Sequence, residues 1–360
     1  MNALADKIGR LIAEVGPIPI ADYMALALTD RQHGYYTTHK AIGLDGDFIT
    51  APEISQMFGE LIGLWCVGAW EAMGRPAAIR LVELGPGRGT LMADLVRAAS
   101  IRADFIAAAD VHLVEISPAL RRQQRARIGD GLALTWHDRL DDVPAGPAIV
   151  IANEFFDALP IRQFVKTPSG WRERLVGLDA EGQLMFGVGA TGVDARLLPP
   201  GADAEPDGAV AEINRPAEAI MAALADRLRR DGGAALAFDY GYVARGFGDT
   251  LQAVSAHHYA DPLDRPGECD LTAHVDFEAL AQVARAEGAT VHGPVTQGEF
   301  LIALGLIERA GALGAGKSAE VQAEIVAAVE RLAGPEEMGT LFKTLAVSGK
   351  AMSLPGFATE

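Results

Sequence analysis

Cysteine is nearly absent from this chain of 360 residues, with Cys66 and Cys269 its whole complement. Two thiols cannot build a disulfide framework or a four-thiolate metal site, and lone thiols suit a reducing compartment. Cys66 lies in the run Leu61-Ile62-Gly63-Leu64-Trp65-Cys66-Val67 and reads as a small buried hydrophobe. Positive charge is also short, with 31 Lys and Arg against 48 Asp and Glu, a net charge of −17. Sequence-independent nucleic-acid binding needs a basic face to displace counterions from phosphates, so nucleic acid is excluded as a partner. No apolar run reaches the roughly 18 residues that a membrane span requires, which argues against membrane insertion. The first residues lack the basic and apolar regions of a secretory signal, and they are not of the Arg-rich, acid-poor transit type. A bacterial, cytoplasmic protein is expected. His257, His258, His274 and His292 show none of the spacings of a zinc site, so no metal is expected. No internal repeat appears at a solenoid period.

What is present is a change of period along the chain. Leu4, Ile8, Leu11, Ile12 and Val15 form the stripe of an amphipathic helix, stopped by Gly16-Pro17. Residues 18–54 break up among glycine, acidic and aromatic positions and read as a long loop, a lid candidate. Residues 58–73 are apolar and helical. Strands are then expected at residues 78–84, 110–116, 132–136, 148–152 and 234–238, with helices between them at residues 90–99 and 217–230 and one capped by Ser117-Pro118. Such alternation predicts an α/β fold with a parallel sheet covered on both faces. Residues 164–188 read as a polar hairpin and residues 191–207 as an aperiodic stretch, together an insertion of about 161–212 between the fourth and fifth strands. A helix from Phe277 closed by Gly288, a strand at 290–295, a helical segment of about 298–335 and a last, antiparallel strand at 341–347 complete the chain. The expected division is an N-terminal helical and lid region, 1–76, followed by a core, 77–360.

The strongest chemical signal is Glu83-Leu84-Gly85-Pro86-Gly87-Arg88-Gly89-Thr90, between the first expected strand and a helix. Glycines let the backbone turn sharply and approach a ligand, while the helix N-terminus offers free amides. A dinucleotide fingerprint would need glycine at position 90, where the chain has Thr90. Glu83 would repel a pyrophosphate yet attract an ammonium, so Glu83, Gly85, Gly87 and Gly89 point to S-adenosyl-L-methionine rather than NAD. Glu115, ending the second strand, suits the two ribose hydroxyls, and Asp138, after the third, suits an adenine amino group or a helix cap. Asn153 and Glu154 follow the fourth strand, at the edge where open α/β sheets bind ligands, and would stand over the reacting methyl group, Asn153 also as a cofactor contact; Asp157 ranks below them. Asp239, with Tyr240, adds a carboxylate at the end of the fifth strand.

Taken as a set, GDFITAPEIS at 46–55, the loop at 83–89, NEFFDALPIRQ at 153–163, FDYG at 238–241 and DLTAHVDF at 270–277 resemble the MidA family of bacterial and mitochondrial class I methyltransferases, over roughly residues 5 to 350. The resemblance implies a Rossmann-like, seven-stranded, mostly parallel sheet and an S-adenosyl-L-methionine-dependent enzyme. It also implies a protein substrate, because the mitochondrial members methylate an arginine on a subunit of respiratory complex I during assembly. A guanidinium is planar and always protonated, so fixed carboxylates must hold it while water is excluded. Glu154 is the first candidate for that clamp, with Asn153 beside it. Other protein arginine methyltransferases carry a second glutamate about nine residues on, where this chain has Gln163, so the second carboxylate comes from Glu53, Asp239 or Glu212. A noncatalytic assembly factor on the same scaffold and a dehydrogenase are the rival classes, and a homodimer is compatible with the sequence.

Overall fold

The computed structural model describes residues 2–38, 50–129, 131–255 and 258–358. The chain forms two compact units, each built from separate stretches. One comprises Ile49–Phe155, Ile220–Val243 and Phe277–Glu360, and the other Met1–Phe48, Phe156–Ala219 and Ala244–Asp276. A boundary at residue 76 does not describe this division, because residues 50–72 belong with the sheet. Met57, Phe58, Leu61, Ile62 and Trp65 on the helix Gln56–Ala72 are buried in the same core as Leu81, Ile149 and Leu236.

The first unit is organised by a sheet of β1 (Ile79–Leu84), β2 (Ala109–Val114), β3 (Leu134–His137), β4 (Ala148–Asn153), β5 (Gly233–Tyr242), β6 (Thr290–Thr296) and β7 (Phe342–Ser348). Their spatial order is β6-β7-β5-β4-β1-β2-β3. From β3 to β5 every pairing is parallel. The strand β7 runs antiparallel to both β5 and β6. This is the expected α/β, Rossmann-like, mostly parallel architecture. Every residue of β4 is buried, as a strand covered on both faces requires.

The chain winds outward from β1 to β3 and then returns to β4 on the other side of β1. That reversal makes a topological switch point, where the connections leaving the carboxyl ends of β1 and β4 run in opposite directions, the place at which open α/β sheets bind ligands. Helix α1 (Gln56–Ala72) packs closely on α2 (Thr90–Ala99), because a Cβ on Gly63 would lie 2.5 Å from the Leu95 carbonyl oxygen. The close approach anchors α2 just after the glycine turn. A third helix, α3 (Pro118–Ile128), begins as expected with Ser117 as its cap, accepting from the Leu120 N–H at 3.4 Å.

The second unit holds the helix Ala3–Val15, with Leu4, Ile8 and Ile12 buried. Residues 18–54 are not one long loop: Ile20–Thr29 is a helix that buries Ile20, Tyr23, Met24, Ala27 and Leu28. Those positions fall at helical spacing, so burial of one face overrides the surrounding glycines. The GDFI part of the motif at 46–49, on which the lid expectation rested, lies outside the described residues, as does His257. The insertion is a three-stranded meander rather than a hairpin. Arg162–Thr167 pairs with Gly170–Leu178, which pairs in turn with Leu184–Gly192. Val210–Ile213 extends that sheet beyond Arg162–Thr167, and Ile18–Pro19 pairs with the Leu175–Val176 part of Gly170–Leu178. Among the described residues no helix is long and apolar enough to cross a membrane.

Candidate functional site

At the end of β1 the backbone enters a turn in which Gly85, Gly87 and Gly89 have φ of +60°, +51° and +82°. An L residue in this region costs about 1–2 kcal/mol, which accounts for glycine at alternate positions. A Cβ at Gly85 would also lie 3.0 Å from the Phe155 ring, and one at Gly89 3.0 Å from the Gln124 Cα. Gly89 caps α2 without a side-chain bond, so the first amides of that helix stay available to an anionic group.

Glu83, one residue before the end of β1, is buried, and its Oε2 has no hydrogen-bond partner among the described residues. Burial pushes its carboxyl up to about 8. A buried acceptor without a donor is costly, and a cationic N–H donor placed against it relieves that cost. The ammonium of a methionine moiety is such a donor, so this position fits S-adenosyl-L-methionine. Glu115, just beyond β2, is also buried, and burial raises its carboxyl above the usual range. Its Oε1 accepts from the Ser117 N–H at 2.7 Å, and its Oε2 from Gln124 Nε2 at 3.3 Å. Two prepared oxygens at a strand end suit a vicinal diol. Asp138, beyond β3, differs: its side chain is 74% exposed and pairs with Arg121.

The last residue of β4, Asn153, donates from Nδ2 to Glu154 Oε1 at 3.1 Å. An ionised carboxylate cannot donate, so this bond fixes the amide orientation and leaves Asn153 Oδ1 as a buried acceptor without a partner among the described residues. Glu154 sits at φ +48°, a strained conformation for a residue with a side chain, and its backbone N–H donates to the Phe238 carbonyl at 2.9 Å. The Ala51 N–H also donates to Glu154 Oε1, at 3.2 Å. Glu53 lies on the same short helical turn, Ala51–Ile54, where its Oε1 accepts from the Thr90 hydroxyl and its Oε2 lies 4.0 Å from Arg88. Hydrogen bonds thus join Asn153 and Glu154 to the turn that carries Glu53, and Glu53 to the first residue after the glycine loop. Asp239 is fully buried on β5, its Oδ1 accepting from the Tyr240 N–H at 3.0 Å.

The candidates therefore fall into two groups. Glu83, Gly85, Gly87, Gly89, Glu115, Asp138, Asn153, Glu154, Asp239 and Glu53 belong to the sheet unit. Gln163 and Glu212 belong to the other unit, where Gln163 Nε2 donates to Glu212 Oε1 at 2.7 Å and the Thr250 N–H donates to the same oxygen at 2.9 Å. Asp157 also lies there. Sequence reasoning missed the Thr90 hydroxyl and Gln124, neither of which carries a local signal. Among the described residues no group of His, Cys, Asp and Glu is arranged to hold a metal ion.

Comparison with known proteins gives three findings. Residues 61–295 match a family described as "Putative S-adenosyl-L-methionine-dependent methyltransferase". The chain is 38% identical over 376 residues to the mitochondrial protein arginine methyltransferase NDUFAF7 of Danio rerio, covering 97% of this chain and 88% of that one. The corresponding protein of Homo sapiens is 36% identical over 363 residues, covering 93% and 81%. A structure from Burkholderia thailandensis bound to S-adenosyl-homocysteine superposes with a TM-score of 0.87 at 31% identity, covering 99% of this chain and 94% of that one. The cytoplasmic expectation is corrected here. These curated relatives are mitochondrial, and an argument from N-terminal composition does not stand against them.

Proposed function

This chain belongs to the family of S-adenosyl-L-methionine-dependent methyltransferases, and from that premise we propose that its acceptor is an arginine side chain of a protein, with a respiratory complex I subunit as the partner. The cofactor supplies a methyl group on a sulfonium. Glu83 receives the ammonium of its methionine end, the glycine loop lets the backbone close on it, and Glu115 receives the ribose hydroxyls. Asn153 Oδ1 and the carboxylates of Glu154 and Glu53 receive the N–H groups of the guanidinium. Two fixed carboxylates draw its charge toward the nitrogens they bind, which leaves the attacking nitrogen richer in electrons and aims it along one line. Glu154 is the group that takes the proton released from the methylated nitrogen. Asp239 positions this edge through the Tyr240 amide.

The observation that carries the arginine reading is the near full-length similarity to proteins named as protein arginine methyltransferases. The test is incubation with a labelled methyl donor and lysate of a strain lacking the protein, followed by identification of the labelled band and hydrolysis to amino acids. Label in methylarginine of a complex I subunit is the expected result. Label recovered in another residue, or only in small molecules, overturns it.

A further inference from the structure

Gln124, on α3, has a fully buried side chain that bonds three separate elements of the sheet unit. Its Nε2 donates to the Gly87 carbonyl at 2.7 Å and to Glu115 Oε2 at 3.3 Å, while its Oε1 accepts from the Trp136 indole N–H at 2.7 Å. An indole nitrogen can only donate, so it fixes the amide with both N–H bonds turned toward the loop and the acid. The Trp136 ring is itself covered by the Arg125 guanidinium, 4.6 Å from its centroid.

We propose that Gln124 is a positioning residue for the nucleoside half of the cofactor, setting the glycine loop and the Glu115 carboxylate in one geometry and selecting for a ligand with both ribose hydroxyls. The proposal rests on the reading that this loop and Glu115 hold S-adenosyl-L-methionine. Each carboxylate oxygen offers two acceptor directions. The Ser117 amide takes one on Oε1 and Gln124 takes one on Oε2, which leaves one direction on each oxygen for a vicinal pair of hydroxyls. Without Gln124, Oε2 has two directions open, the carboxyl group is free to rotate, and the Gly87 carbonyl loses its donor inside the fold.

The test is the dissociation constant of S-adenosylhomocysteine and of its 2′-deoxy analogue, by calorimetry, for the wild type and for Gln124→Met, which keeps the length and removes the donors. The expected loss is about ten- to a hundredfold for S-adenosylhomocysteine, the range for leaving buried acceptors without donors, and clearly smaller for the deoxy analogue. A folded variant with unchanged affinity, or with equal losses for both ligands, overturns the positioning role. A wild type that fails to bind S-adenosylhomocysteine overturns the cofactor reading and the proposal with it. Should Gln124→Met not fold, Gln124→Glu keeps the size and the acceptor for Trp136. Its affinity relative to wild type should fall at pH 8, where an acceptor faces the Gly87 carbonyl and Glu115. It should recover toward pH 6 as the introduced carboxyl gains a proton, and a ratio that stays flat with pH overturns the role.

Discussion

The Asn153 side-chain amide and the Glu154 carboxylate, consecutive along the chain, are joined by a 3.1 Å hydrogen bond from Nδ2 to Oε1 at the end of β4. Glu154 itself has a backbone conformation that residues with side chains seldom adopt. Glu154→Gln keeps the shape and removes the charge and the proton acceptor. The expected outcome is affinity for S-adenosyl-L-methionine within about threefold of wild type and a turnover lower by about 10²–10⁴, the usual contribution of a positioned acid or base. Calorimetry and a methyl-transfer assay check the two halves, and a variant with full turnover removes Glu154 from the chemistry.

The glycine turn makes a prediction with an internal control. Gly89→Ala places a Cβ at φ +82° and 3.0 Å from the Gln124 backbone, so strain and crowding act together. Gly74→Ala meets a similar φ of +85° with nothing within 4 Å. Both should lose about 1–2 kcal/mol of stability from the backbone alone. Only Gly89→Ala should also weaken cofactor binding, and paired thermal melts and titrations read this directly. Equal cofactor affinities in the two variants would place the ligand away from this turn.

Much of this architecture was legible locally. The helix stripe from Leu4, the glycine turn after β1 and the Ser117-Pro118 start of α3 are each signalled within a few residues, because caps and turns are local physics. The pairing of Ile18–Pro19 with Gly170–Leu178 spans some 150 residues and leaves no trace in either segment. The helix Ile20–Thr29 was written in its spacing, but neighbouring glycines and aromatics hid it. At the site, acids after strands were easy to find. Whether such an acid turns inward, like Glu115, or outward, like Asp138, depends on partners from other elements. The same holds for Thr90 and Gln124, whose roles come entirely from what the fold brings to them.

Glu83 sets a pH dependence whose sign follows from its burial. Its carboxyl is pushed up to about 8 from the ordinary value of 4.5, so between those values the folded, ligand-free protein carries a proton there that the unfolded chain does not. This group therefore makes the ligand-free protein less stable as pH rises from about 4.5 to 8, with no further change above. A cationic ligand needs the ionised form, so binding below pH 8 should release close to one proton from this group. Calorimetry in buffers of different ionisation enthalpy at pH 6.5 measures that release. Glu83→Gln should abolish it, weaken binding and flatten this part of the stability curve. Proton release unchanged in Glu83→Gln would assign the linkage to another group.

Glu115 and Asp138 both follow strands on one side of the switch point, and both are candidate nucleoside contacts by sequence, Asp138 with a helix-cap reading beside it. Their environments separate them. Glu115 is buried, with one hydrogen bond on each carboxylate oxygen, so its truncation removes a prepared acceptor, takes the side-chain acceptor from the Ser117 amide and leaves Gln124 only its bonds to Gly87 and Trp136. Asp138 is largely in water, and its ion pair with Arg121 is of the exposed kind that contributes about 0–1 kcal/mol. Glu115→Ala should therefore weaken S-adenosylhomocysteine binding by about two orders of magnitude, from the loss of charge-assisted bonds to two hydroxyls. Asp138→Ala should stay within about threefold of wild type, since an exposed, solvated carboxylate gives up little when removed. Titration of both variants with one ligand preparation decides the comparison. A large loss at Asp138 with little at Glu115 would mean that the ligand reads the end of β3 rather than the end of β2, and the ribose assignment would have to be exchanged.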